Sequence, residues 1–188
     1  MAPRRDRTLK ELADFARLVV RAAYLHRSQM LAEVGNFIRA EVDDVGLAEQ
    51  LAEQYVGEAE TELFEEIPGW SEPTDNDRLA DVFAELRRRH FLTLENCQDH
   101  FDASRALKAD PEGVEGVVFF TETDVYHAVT EGMLELKVWH ADTSNVVAAD
   151  PELTMVVELL REHQLPALFD EGRIEVTLTW RRHPHHQS

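Results

Sequence analysis

Only one cysteine, Cys97, occurs in 188 residues. No internal disulfide can form, and nothing in the composition asks for an oxidising compartment. Uninterrupted apolar runs stop at four residues, as at Val117 to Phe120, far short of the ~20 that a membrane-spanning helix takes. The basic start Met1-Ala-Pro-Arg-Arg-Asp-Arg7 is not followed by an apolar stretch of signal-peptide length. These absences predict a soluble cytoplasmic protein. Gly-x-Gly-x-x-Gly, Gly-x-x-x-x-Gly-Lys-Ser/Thr, His-Glu-x-x-His and Gly-x-Ser-x-Gly are missing too. A nucleotide-binding loop, a metalloprotease helix and a hydrolase elbow are therefore unsupported.

Positive charge is scarce: 19 Lys and Arg face 37 Asp and Glu, for a net charge of −18. The imbalance is local. Residues 1–40 hold eight basic and four acidic side chains, whereas 41–81 hold fourteen acids and one base, Arg78. A field of this sign repels phosphate backbones, so neither nucleic acid nor a membrane surface is expected as a partner. The acidic stretch reads either as a solvated helix surface or as a docking face for a basic protein partner. Unscreened, these acids should repel one another, so added salt is expected to raise the melting temperature.

What is present suits a folded core. A chain of this length can bury roughly 70% of its unfolded surface without a metal or disulfide staple. From Thr8, apolar residues recur at Leu9, Leu12, Phe15, Val19 and Ala22, a helical spacing that Thr8 and Glu11 would open as a capping box. Two further helical stretches run over about 28–42 and 46–67, and Pro68-Gly-Trp-Ser-Glu-Pro73 ends them. Beyond this joint the pattern changes. Thr74-x-x-Asp77, Thr121-x-x-Asp124 and Asp150-Pro-Glu152 mark helix starts. Strands are predicted over 91–95, 116–121, 133–139 and 173–180. Leu168-Phe169 should pair beside the last strand, across a hairpin loop at Asp170-Glu-Gly-Arg173. Helices should fill most of 8–67, 75–89 and 151–164, and the tail should be loose. The predicted fold class is α+β: a helical N-terminal part followed by a mostly antiparallel or mixed sheet of four to five strands with packed helices. The predicted divisions are 8–67, 74–182 and a tail at 183–188, with the first two free to form one body.

Several segments together carry a resemblance. They are Trp70 with Pro73-Thr-Asp-Asn-Asp-Arg-Leu79, Phe83 and Leu86, Glu95-Asn-Cys-Gln98, Gly116-Val-Val-Phe-Phe120 leading to Asp124, and Ile174-Glu-Val-Thr-Leu-Thr-Trp-Arg-Arg182. In order and spacing, over about 28–182, they resemble an uncharacterised bacterial domain family found mainly in actinobacteria. The resemblance implies an α+β fold with a helical lead-in and no established activity. Where that family's pattern has a Cys-Cys-x-x-Cys-Gly stretch, this chain has Asn96-Cys-Gln-Asp-His-Phe101, which argues against a thiolate-rich site. Where the pattern has a glycine-rich strand start, this chain has Glu131-Gly-Met-Leu134.

Candidate chemistry is sparse. Cys97-x-x-His100 has a spacing two zinc ligands can use, needing two more from residues such as His90, His127 or His140. Equally it is a loop with a reduced thiol and a surface imidazole. Asp75 and Asp77 could hold magnesium, or merely favour a helix N-terminus. Asp124 follows an apolar strand, where a ligand or a cap would both use it. Arg181 and Arg182 could clamp an anion or protect an edge strand's exit. No cofactor is expected. The leading expectation is a non-enzymatic cytoplasmic protein that binds a macromolecule or small ligand, one version being an acidic, immunity-like binder of a basic protein. The alternative is a metal-binding protein or metal-dependent enzyme centred on Cys97 and His100.

Overall fold

The computed structural model describes residues 4–109 and 113–184. They divide into two compact units: residues up to Ser71 together with those from Arg181 onward, and Glu72–Trp180. The fold class is α+β, with a five-stranded mixed sheet in the second unit.

The first unit is built on three helices, α1 (Arg4–Ala22), α2 (Arg27–Arg39) and α3 (Val45–Glu66). The predicted apolar stripes are the faces that meet. Leu12, Ala16, Val19, Val34, Ile38, Ala48, Ala52, Val56, Ala59 and Leu63 form one buried cluster. The predicted start at Thr8 is corrected: α1 begins at Arg4, so Thr8 lies inside the helix and not at the edge of its first turn. α1 stops where Ala23 turns to a positive φ of 58°. α2 opens at His26, whose backbone N–H donates to Gln29 Oε1 at 3.0 Å. It ends at Arg39, not near 42, and Asp44 then caps α3 by accepting from Leu47 N at 3.0 Å. The α1 and α2 arginines reach α3. Arg17 grips Glu62 through Nε and Nη2 at 2.8 and 3.0 Å, Arg21 grips Glu66 one turn on, and Arg27 spans Glu53 and Glu60. Part of the acidic stretch is thus neutralised inside the unit, which weakens the self-repulsion expected from the charge count alone.

In the second unit, α4 (Asp75–Arg88) opens with the predicted capping box. Thr74 N and Oγ1 both donate to Asp77 Oδ2 at 2.8 Å, and Asp77 N returns a bond to Thr74 Oγ1. The strands are β1 (Phe91–Cys97), β2 (Gly116–Thr121), β3 (Met133–His140), β4 (Ala167–Asp170) and β5 (Arg173–Thr177), in the spatial order β1-β2-β3-β5-β4. β1 and β2 run parallel and the other neighbours antiparallel. Parallel neighbours need a crossover, which α5 (His100–Ala109) supplies. The sequence reading has no helix at this place. The predicted hairpin loop is present, with Glu171 and Gly172 both at positive φ, the conformation a two-residue turn favours.

Val118, Phe120, Leu134, Leu136, Val138, Ile174 and Val176 are wholly buried on one sheet face, where Phe83 of α4 meets Phe120 with ring centroids 5.9 Å apart. α7 (Pro151–Glu162) packs beside α4. On the opposite face α5 covers Val117 and Phe119 with Ala103 and Leu107. Gly116 is needed where it stands: a Cβ there would lie 2.3 Å from the Trp139 carbonyl oxygen. β5 ends at Thr177 rather than 180. Its ladder partner β3 begins at Met133, opposite Thr177, so Thr179 N turns instead to Asp75 Oδ2 at 2.8 Å. β5 is also an inner strand, flanked by β3 and β4. Arg181 and Arg182 therefore do not protect an edge.

Candidate functional site

The carboxyl ends of the parallel strands β1 and β2 gather three of the residues singled out in the sequence: Cys97, His100 and Asp124. The end of β1 is irregular. Asn96 has a φ of 53° and the register slips between Leu94 and Cys97, so Cys97 comes to lie opposite Thr121. The thiol is only 7% exposed. Burial, and after it the Asp102 carboxylate, pushes its pKa up to about 11, away from the thiolate that a metal or nucleophilic role requires. His100 heads α5 and packs on Phe101, and its ring centroid is 6.4 Å from that of Trp139. Asp102 accepts from Gln98 N at 2.8 Å, and Asp99 from Phe101 N at 2.8 Å. These carboxylates start a helix. No third ligating side chain joins Cys97 and His100 in a cluster among the described residues.

Asp124 is 4% exposed and heavily engaged. Its Oδ2 accepts from Thr121 N at 2.6 Å, Thr121 Oγ1 at 2.7 Å and Lys137 Nζ at 2.5 Å. The first two bonds close the capping box of α6 (Glu122–Glu131), and the third tethers that helix to β3. From Lys137 a row of alternating charges crosses the sheet through Glu135 to Arg173, which also reaches Glu175. The Arg173 guanidinium is held above its usual pKa, first by Glu135 and then by its bond to Glu175. Asp75 and Asp77 are at the start of α4, where Asp75 Oδ1 takes Arg78 at 2.7 Å and Oδ2 takes Thr179 N. The geometry gives each of these carboxylates a part in folding. All three start a helix, and Asp75 and Asp124 also tether a distant segment.

The helical unit holds a feature that sequence reasoning missed. A cleft of about 250 Å³ is lined by Val20, Ala23, Leu25, Met30, Leu63 and Phe64, together with His26, Arg27, Glu60 and Pro184. Its only sequence-level signal is the interruption at Ala23 to His26 between two apolar stripes. Arg182, offered as an anion clamp, packs on Tyr24, next in sequence to the cleft residues Ala23 and Leu25. Its guanidinium carbon is 4.0 Å from the centre of the Tyr24 ring and its Nη1 donates to Tyr24 Oη at 3.1 Å. Arg181 lies near Glu66, whose carboxyl is held below its usual pKa chiefly by the bond from Arg21. Of the tail expected from residue 183 on, His183 packs on Trp70 with ring centroids 5.1 Å apart. His185, His186 and the last two residues lie outside the described residues.

None of the helices among the described residues is long and apolar enough to cross a membrane. Neither the curated proteins nor the solved structures contain a match to this chain. Residues 5–184 match the model of a domain of unknown function, DUF6891, a span that takes in α1 as well as the segments carrying the sequence resemblance; the chain belongs to that family.

Proposed function

We propose that the chain is a non-enzymatic binding protein of the bacterial cytoplasm whose helical unit engages a positively charged protein, and that it takes neither nucleic acid nor membrane as partner. The observation that carries this reading is how charge is divided on α3 and the turn before it. Glu53, Glu60, Glu62 and Glu66 face α1 and α2 and are matched by Arg27, Arg17 and Arg21. Glu41, Asp43, Glu49, Glu58 and Glu65 are exposed and form no ion pair among the described residues. Val45, Leu47 and Phe64 stand among them at 55%, 44% and 54% exposure. Acids interleaved with exposed apolar groups suit a basic, amphipathic counterpart. The engaged state of Asp75, Asp77 and Asp124 and the raised thiol pKa of Cys97 support binding over chemistry.

The test is fluorescence anisotropy with a labelled oligoarginine nonamer at physiological salt. Reversing Glu58 and Glu65 to lysine should weaken binding at least tenfold, whereas reversing Glu158 and Glu162 on α7, an equal change in net charge, should leave it nearly unchanged. Equal losses from both pairs would mean that net charge alone attracts the probe, and the reading would be wrong.

A further inference from the structure

The segment Arg181 to Pro184 belongs to no helix or strand, yet it lies on the helical unit through side-chain contacts that each have a recognisable chemistry. A guanidinium sits over the Tyr24 ring and bonds its hydroxyl. An imidazole tilts onto Trp70. A proline touches the apolar cleft but leaves about 250 Å³ of it open beside Phe64. Together they show what this surface accepts: an extended basic segment whose arginine stacks on Tyr24 and whose third residue, counted from that arginine, presents an apolar group to the cleft.

We propose that this surface is a recognition groove for an extended Arg-x-apolar segment of the basic protein partner, and that the chain's own Arg182-His-Pro184 occupies it in cis as a competitor. The inference rests on the binding role proposed above. Charge complementarity selects the partner's sign. Arg27, which lines the cleft together with Glu60, is shared by Glu60 and Glu53 at 3.1 and 2.8 Å, so two carboxylates face one guanidinium and a negative excess stands beside the cleft. An anionic ligand would meet that excess, whereas a second cation relieves it. The incomplete filling selects the side chain. Proline is a small, rigid occupant, and a leucine in its place would bury more apolar surface within the same walls. Because the resident segment is covalently attached, it competes at a high effective concentration despite its few contacts. The groove is therefore masked until a better-fitting segment displaces the strap.

The experiment titrates the full chain with two labelled peptides, one of sequence Trp-Arg-Arg-His-Pro and one with leucine in the last position. The variant Arg182→Ala/His183→Ala/Pro184→Gly should bind both at least tenfold more tightly than the unaltered chain, and the leucine peptide the more tightly. Adding Tyr24→Ala to that variant should abolish binding while circular dichroism stays unchanged. Should the triple variant lose its fold, Pro184→Gly alone vacates the cleft without touching either ring contact. It should raise affinity for the leucine peptide about threefold. No rise in affinity from unmasking, or no effect of Tyr24→Ala, overturns the proposal. A concentration-dependent dimer that the strap substitutions abolish would assign the groove to a second copy and overturn the partner. Loss of peptide binding alone, with the Glu58 and Glu65 dependence of oligoarginine intact, removes only this inference. Loss of the oligoarginine response removes the binding role itself.

Discussion

Cys97 offers a sharp quantitative test, because its environment acts on both its reactivity and the alkaline stability of the fold. Its thiol lies under α5 among Ala103, Leu107, Val117 and Phe119, and its pKa stands at about 11 against an ordinary 9.0. At pH 8 that lowers the thiolate fraction from about one in ten to about one in a thousand, before any steric shielding is counted. Alkylation of the folded protein by iodoacetamide should therefore run at least a hundredfold slower than in concentrated urea. The same shift has a stability consequence of fixed sign. The folded state holds the thiol proton more tightly than the unfolded state. The associated stability is whole below pH 9 and is lost as pH rises through about 11, a fall of about 3 kcal/mol at 1.36 kcal/mol per unit. Cys97→Ala should remove this part of the alkaline slope in urea melts taken between pH 8 and 11. Asp102→Asn, which removes the second cause of the shift, should speed alkylation by a smaller factor. Folded protein reacting within fivefold of the unfolded rate would refute the argument and make Cys97 available as a metal ligand.

Asp124→Ala should cost about 3 kcal/mol in urea denaturation, because it strips a buried carboxylate from both a helix cap and Lys137; Asp77→Ala, losing chiefly a cap, should cost about 1 kcal/mol. Gly116→Ala should destabilise by about 3 kcal/mol or more, since the new methyl meets backbone rather than a movable side chain. The double variant Arg17→Ala/Arg21→Ala should lower the melting temperature by about 3 °C, and its melting temperature should then rise with sodium chloride more steeply than that of the unaltered chain. Dialysis of the full chain against a chelator should leave the melting temperature unchanged; a drop of ten degrees that Cys97→Ala abolishes would establish a structural metal.

The elements legible in the sequence are those whose local and tertiary signals agree. β2, all apolar from Val117 to Phe120, sits between two strands and between helices, and its limits coincide with the predicted 116–121. β3 alternates because only Leu134, Leu136 and Val138 lie on the face where Phe83 of α4 meets Phe120, while Glu135 and Lys137 face the charged side. α5 escapes a sequence reading for a physical reason. Its buried face is only Ala103 and Leu107, because it is a short crossover lying on two strands, and two small contacts leave almost no periodic trace. Its start is nonetheless encoded: Asp99-x-x-Asp102 has the acid spacing of Thr74-x-x-Asp77 and Thr121-x-x-Asp124. Thr8 fails in the opposite way, offering a capping pattern with no end to cap, since α1 already runs from Arg4.

The same spacing explains why the candidate carboxylates can be read in two capacities. An acid three residues after a threonine or aspartate, next to an apolar strand, satisfies the local description of a catalytic site as well as that of a helix start. Only long-range partners separate the two, and these are 13 residues away for Asp124 and 104 for Asp75. Once Lys137 and Thr179 are bound, these acids retain little freedom to hold anything else. The groove on the helical unit is the mirror case. Tyr24, Trp70 and Arg182 are separated by up to 158 positions, and nothing in composition or periodicity links them. A cation on one chain segment and an aromatic on another carry no pattern until the fold brings them together. With Asp75, Asp77 and Asp124 spent on helix starts, the surface that remains adjustable is the one held by ring stacking and a part-filled cleft. On the reading proposed above, that is where a displacing segment would meet the weakest resistance.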